Sequence, residues 1–258
     1  MKKHLSVLML YIRSTFLPLC LILLLSAALS VCLFAEKLLP EIRFSSPGSG
    51  HGVEILGLET LFAHTAIPWI FTGALVLMTV LLLIPGTAFG SQTAYTMSRL
   101  RISDKAAFLW QAGYNTLAYF MLWAVGASVL AAMCFWYGAS VSTATEHSVF
   151  LALYRDEFLH SMLPLHDTGR IVRNLSFCMA LGVTTAHYTF RQRGGKASYV
   201  IIPVLIYIIR AFPEEMGALP IDIIGSVICL FLAGLLIVMV LTDRMRFLFE
   251  EEDQPWNE

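Results

Sequence analysis

Residues 106–138 read AAFLWQAGYNTLAYFMLWAVGASVLAAMCFWYG, 33 positions without one Asp, Glu, Lys, Arg or Pro. As a helix this run rises about 50 Å, at roughly 1.5 Å per residue, against a hydrocarbon core of about 30 Å. It is long enough to cross a bilayer and to protrude from it. A strand is excluded because the run has no period-two alternation, and an open sheet edge cannot satisfy its hydrogen bonds in lipid. Trp136 and Tyr137 close the run as interfacial aromatics, which puts the surplus length at its other end, around Ala106 to Gln111. Ala124, Ser128 and Ala132, with Ala127 and Ala131 beside them, form a small-residue stripe suited to close helix packing.

Working outward, five more apolar runs lie at about 14–35, 65–86, 174–190, 197–213 and 219–242, and the charge clusters fall between them. Apolar residues make up 57% of the 258 residues and charged ones 14%, and the mean hydropathy is +0.72. Those values exclude an ordinary soluble domain. The expected fold is an all-α membrane protein with six transmembrane helices, forming a single domain over 1–258 and leaving no length for a separate soluble catalytic domain. The net charge of −1 offers no basic surplus for nucleic acid. Cys20, Cys32, Cys134, Cys178 and Cys229 are odd in number and all lie inside apolar runs, so they read as packing residues rather than a disulfide framework. Met1-Lys2-Lys3-His4 opens an uncleaved anchor rather than a signal peptide. A lipoprotein reading of Leu29-Ser30-Val31-Cys32 fails on Val31, where a small residue is required. Leu5 to Tyr11, closed by Arg13, suggests a short interfacial helix before the first crossing.

Six crossings fix an orientation through the preference of Lys and Arg for cytoplasmic loops. With both termini inside, eleven basic residues are cytoplasmic: Lys2, Lys3, Arg13, Arg99, Arg101, Lys105, Arg191, Arg193, Lys196, Arg244 and Arg246. Six lie outside, namely Lys37, Arg43, Arg155, Arg170, Arg173 and Arg210. Two outer segments are expected, at 36–64 and 139–173. In the second, Phe150, Tyr154, Phe158 and Met162 recur every four residues, so 149–163 is an amphipathic stretch that lies on the membrane or caps the bundle.

The motifs of chemistry are missing. Transporters coupled to protons and intramembrane enzymes keep ionisable residues at membrane depth. The six runs hold no central acid or base; Asp222 and Arg210 lie near outer ends, and His187 near an inner end. His147, His160, His166 and Asp167 share the second outer segment, but their spacing matches no metal signature, and no metal is expected. There is no Gly-Lys-Ser/Thr phosphate loop, no His-Glu-x-x-His and no Gly-x-Ser-x-Gly. The chain reads as carrying no enzymatic activity and no cofactor of its own.

The most informative cytoplasmic segment is 90–105, GSQTAYTMSRLRISDK. It reads as a short amphipathic helix, a basic link, and then Ser103 as N-cap of the third crossing with Asp104 in its first turn. On physical grounds alone it is equally an ordinary positive-inside loop. Leu100-Arg101-Ile102-Ser103-Asp104-Lys105, running on into Phe108-Leu109-Trp110-Gln111, resembles the corresponding segment of the permease subunits of ABC-2 type transporters. So does the order of elements: an interfacial N-terminal helix, six crossings with both ends inside, and a cytoplasmic helix after the second crossing.

That resemblance implies a coupling helix, carried here by Gln92, Tyr95, Thr96, Arg99, Leu100 and Arg101, docked on a separate cytoplasmic ATP-binding subunit. ATP and Mg would bind on that partner. It also implies a second permease subunit, in a homo- or heterodimer, a bacterial cytoplasmic membrane, and a substrate path lined by Gln111, Tyr114, Asn115 and Tyr119. The apolar interior suits export of a hydrophobic or amphipathic substrate. The sequence departs from some members of the family in joining the fifth and sixth crossings by only a short turn, which speaks against polysaccharide. A different class remains open: a non-transporting membrane structural or interaction protein, such as an assembly or immunity factor, that uses 149–163 to hold a partner.

Overall fold

A backbone that leaves water must satisfy its own hydrogen bonds, and a helix does so within a single segment. The computed structural model describes residues 2–44, 57–63, 65–86, 103–140, 146–165, 167–193, 195–196, 198–212 and 219–242. Among these, the regular elements are all helical. They are α1 (Lys2–Phe44), α2 (Leu58–Ala63), α3 (Ile67–Leu83, ending in a 3-10 turn at Ile84–Gly86), α4 (Asp104–Ser140), α5 (Glu146–Arg155), α6 (Glu157–Met162), α7 (Thr168–Arg193), α8 (Ile201–Ala211) and α9 (Leu219–Leu241). Among the described residues, three stretches are long and apolar enough to cross a membrane: Tyr11–Pro40, Asp104–Ser140 and Ile221–Leu241. Ile67–Leu83 and Ile201–Ala211 are shorter apolar helices.

Several expectations change. The separate interfacial helix before the first crossing is not formed, because α1 runs unbroken through Arg13 and Pro18. Tyr11 supplies the reason: it is buried, and its hydroxyl donates to Gln111 Oε1 over 2.9 Å, holding the start of α1 upright against α4. The fourth run is longer than 174–190 at both ends, and α7 is the least apolar of the long helices yet the most enclosed. Its Arg170, Arg173, Asn174, Phe177, Cys178 and Leu181 are all buried, spaced at three and four residues as one helix face requires. The fifth run shortens to the 11 residues of α8, a rise of about 17 Å and half the hydrocarbon thickness. The stripe on α4 is not its tightest contact: Ser128 and Ala132 are exposed, whereas Gly126 and Gly182 are enclosed by neighbouring helices.

α4 and α7 form the central pair; α9 packs on α7, and α1 packs on α3 and α4. Contacts at the two ends give the helix directions. At one end Arg193, closing α7, meets Tyr11 and Gln111, near the starts of α1 and α4. There too, Lys105 Nζ donates to Leu241 O over 2.9 Å, so a cation in the first turn of α4 closes the C-terminus of α9. Val200, just before α8, packs against the Phe108–Val240 cluster at the same end. At the opposite end, Phe34 of α1 stacks on Phe62, Phe71 of α3 faces Phe158, and Met133 and Tyr137 of α4 join them. Successive long elements α1, α3, α4, α7, α8 and α9 therefore alternate in direction.

The amphipathic stretch caps that opposite end. It breaks at Asp156, whose extended backbone lets Oδ1 accept from Leu159 N over 2.8 Å as the N-cap of α6. The break divides the four-residue repeat: Phe150 and Tyr154 stay exposed, while Phe158 and Met162 are buried. Burial holds the Asp156 carboxyl above its ordinary range, opposed by the Leu159 and Phe158 N–H groups and reinforced by Glu157 and Glu59. A carboxyl raised in the folded state stabilises the fold below the unfolded value, and that contribution is lost as pH rises through the folded one. Asp156→Asn keeps the cap without the charge, so at pH 7 it should unfold no more easily than the parent. Its advantage should disappear at pH 4. Asp156→Ala should lose about 1 kcal/mol at pH 4 and less at pH 7, where it too removes the penalised charge. Unfolding midpoints of the three proteins at the two pH values test the assignment, and an Asn variant weaker than the parent at pH 7 would refute it.

Candidate functional site

The polar residues of this bundle concentrate on α7 and the elements facing it. At the capped end they form a ladder of alternating charge. His160 Nε2 lies 3.8 Å from Asp167 Oδ2, which lies 3.5 Å from Arg170 Nε. Arg170 Nε is in turn 3.9 Å from Asp222 Oδ2, and Asp222 Oδ1 accepts from Arg173 Nη1 over 2.9 Å. Asp167 also accepts from Arg170 N over 3.2 Å, capping the start of α7. Two arginines are balanced by two carboxylates, the condition under which charges tolerate removal from water. Arg173 is 2% exposed, its guanidinium lies 5.8 Å from the centre of the Phe177 ring, and its Nε and Nη2 have no hydrogen-bond partner among the described residues.

One residue further along α7, Asn174 donates from Nδ2 to Ser161 O over 2.8 Å. It also lines a cavity of about 570 Å3, counted to its open mouth, between α3, α4, α7 and α8. Phe71, Leu122, Trp123, Phe177, Leu181 and Ile208 supply most of its apolar wall.

The residues expected to line a path each bond to a neighbouring helix. Gln111 Oε1 accepts from Tyr11 and from Arg193 Nη2, the latter over 3.1 Å. Tyr114 OH lies 2.7 Å from Thr15 Oγ1 on α1. Asn115 Nδ2 donates to Thr185 Oγ1 on α7 over 2.9 Å, and Tyr119 OH to Thr79 Oγ1 on α3 over 2.9 Å. Of the four, Tyr119 borders the cavity. In a bilayer, where apolar surface no longer drives association, such bonds and close packing hold helices together. His187 is likewise buried and tied, with Nδ1 3.3 Å from Ser198 Oγ.

The expected coupling residues Gln92, Tyr95, Thr96, Arg99, Leu100 and Arg101 lie outside the described residues. Their flanks, the turn ending at Gly86 and Asp104 at the head of α4, are described. Among the described residues no three His, Cys, Asp or Glu side chains gather to hold a metal. His160 and Asp167 do approach one another; the side chain of His147 and all of His166 are outside the described set. Sequence reasoning missed Arg173, Asn174 and Asp222 as one cluster. The available signal was the three- and four-residue spacing 170, 173, 174, 177, 178, 181, which carries the helix period of the apolar run back into the charged segment.

Comparison with protein-family models, with curated proteins and with solved structures finds no match to this chain.

Proposed function

We propose that this chain is the membrane-spanning permease subunit of an ATP-driven transporter of the ABC-2 type. It crosses a bacterial cytoplasmic membrane six times, moves a hydrophobic or amphipathic substrate, and is powered by a separate ATP-binding subunit. The observation that supports this most is the alternation of helix direction, which puts Tyr11 of α1, the head of α4 and the last residues of α7 and α9 at one end of the bundle. The described flanks of the α3–α4 connection, the turn ending at Gly86 and the head of α4, belong to that end, where a soluble partner would act. α7 and α8 cross with their apolar neighbours rather than alone, the polar α7 being sheathed by α4 and α9. The alternative, a partner-holding membrane protein, draws on the exposed Phe150, Leu151 and Tyr154 of the cap.

Purification in mild detergent followed by mass spectrometry separates the two. Transport predicts a soluble chain with a Gly-rich phosphate-binding loop at near-equal stoichiometry, lost in an Arg99→Glu/Arg101→Glu variant that still inserts. Absence of any such chain, under conditions that keep a control ATPase–permease complex intact, gives the lead to the partner-holding reading.

A further inference from the structure

α1 carries one cation within an apolar stripe that faces away from the bundle. Met9, Phe16, Leu17, Leu21 and Leu24 are exposed at the three- and four-residue spacing of a single helix face, and Arg13 is exposed among them. Tyr11, two positions earlier and so about 200° round the helix, is buried against Gln111 and Arg193. Arg13 therefore points outward, and among the described residues its guanidinium forms no ion pair, hydrogen bond or ring contact.

The depth of this cation follows from the sequence beside it. Ser14 to Ala35 contain no Asp, Glu, Lys or Arg, a rise of about 33 Å at roughly 1.5 Å per residue, which matches a hydrocarbon core of about 30 Å. Arg13 closes that interval at one end, and the exposed Glu36 and Lys37 close it at the other. Arg13 thus stands level with the lipid phosphates. Long helical side chains lean toward the helix N-terminus, which here carries the guanidinium out of the hydrocarbon while its stem stays against apolar surface.

A guanidinium matches a phosphate through two parallel hydrogen bonds. In a zwitterionic head the phosphate already has an ammonium for company, so a head of net negative charge offers the better counter-ion. A soluble partner could not reach Phe16 and Leu17, which lie on the hydrocarbon side of Arg13.

We propose that Arg13 binds the phosphate of a phospholipid with a net negative headgroup, whose acyl chains lie on Phe16, Leu17, Leu21 and Leu24. The assignment requires only that α1 cross the bilayer, and it holds whether or not the chain transports anything.

The full chain in mild detergent is titrated under native mass spectrometry with palmitoyl-oleoyl phosphatidylglycerol and with the phosphatidylethanolamine of the same chains. Phosphatidylglycerol should bind more tightly. Arg13→Gln should weaken it about fivefold, the equivalent of the roughly 1 kcal/mol that a basic residue gains at an anionic bilayer surface, and leave phosphatidylethanolamine unmoved. Arg13→Lys should keep most of the preference, since lysine still meets phosphate as a point charge. Arg155→Gln, which alters an exposed arginine at the opposite end, 3.6 Å from Glu59, should change neither lipid. The unfolding midpoint of Arg13→Gln should equal that of the parent, because Arg13 has no protein partner to lose. Phosphatidylglycerol affinity unmoved by Arg13→Gln, or equal losses for both lipids, would overturn the proposal. Displacement of the lipid by excess inorganic phosphate would do so too, by showing that a free anion suffices. Loss of a dimer rather than of lipid in Arg13→Gln would instead give the residue to a second copy of the chain.

Discussion

Asp222→Asn is expected to destabilise the protein by about 3–5 kcal/mol, the usual result of removing one side of a buried ion pair. Asp222 is the only carboxylate within salt-bridge distance of Arg173 among the described residues, at 2.9 Å, and it also lies 3.9 Å from Arg170. Asparagine keeps the volume but leaves Arg173, 2% exposed, with an uncompensated charge. Removing the other partner should hurt less. In Arg173→Met the carboxylate keeps Arg170 beside it, and methionine fills the space left by the stem. Arg173→Met/Asp222→Leu should recover part of the Asp222→Asn loss, since no strong charge is then stranded except Arg170, which retains Asp167 at 3.5 Å. Equilibrium unfolding in mixed micelles gives the three values. An Asp222→Asn protein as stable as the parent, or one no weaker than Arg173→Met, would show that the ladder does not hold α7 to α9.

The contrast between α4 and α7 shows how much of this fold was legible. α4 was readable because its apolar run is unbroken from Ala106 to Gly138 and its ends are marked by Asp104 and by Trp136 and Tyr137, so the observed Asp104–Ser140 differs by little. α7 was readable only in its middle. Composition places Arg170 and Arg173 in a loop, because a basic residue is normally costly at membrane depth; what reverses that is Asp222, about fifty residues away and visible only once α9 is laid alongside. The same holds for Gln111, Tyr114, Asn115 and Tyr119. As polar residues in an apolar run they name no partners of their own, and the ones they bond, Tyr11, Thr15, Thr185 and Thr79, come from three other helices. The break at Asp156 was missed for a local reason, because the four-residue repeat of aromatic and Met residues continues across it without a change of phase.

Gly182→Ala is expected to be among the most damaging conservative changes in the chain. A Cβ built there overlaps Thr116 Oγ1 and, beyond that side chain, falls 2.6 Å from Thr116 N and 2.7 Å from Thr116 Cα. Those are backbone atoms of α4, so no rotamer relieves the overlap and the central helix pair has to separate. Separation acts on what lies beside the contact: the Asn115–Thr185 hydrogen bond is one residue away on α4 and three on α7, and it would lengthen as the helices part. The overlap alone should cost about 1–3 kcal/mol, with the lost bond added to it. Two comparisons make the cause testable. Thr116→Ala should rescue Gly182→Ala only in small part, because trimming the Thr116 side chain removes the Oγ1 overlap but leaves its N and Cα where they are. Gly126→Ala should be mild, since its Cβ would meet the end of the Met162 side chain and the Phe71 ring at 3.0 Å, and a methionine methyl can turn aside. Unfolding midpoints of the four proteins decide the matter. Full rescue by Thr116→Ala would place the clash on a movable side chain, and equal losses at Gly126 and Gly182 would mean that glycine serves both positions for the same reason.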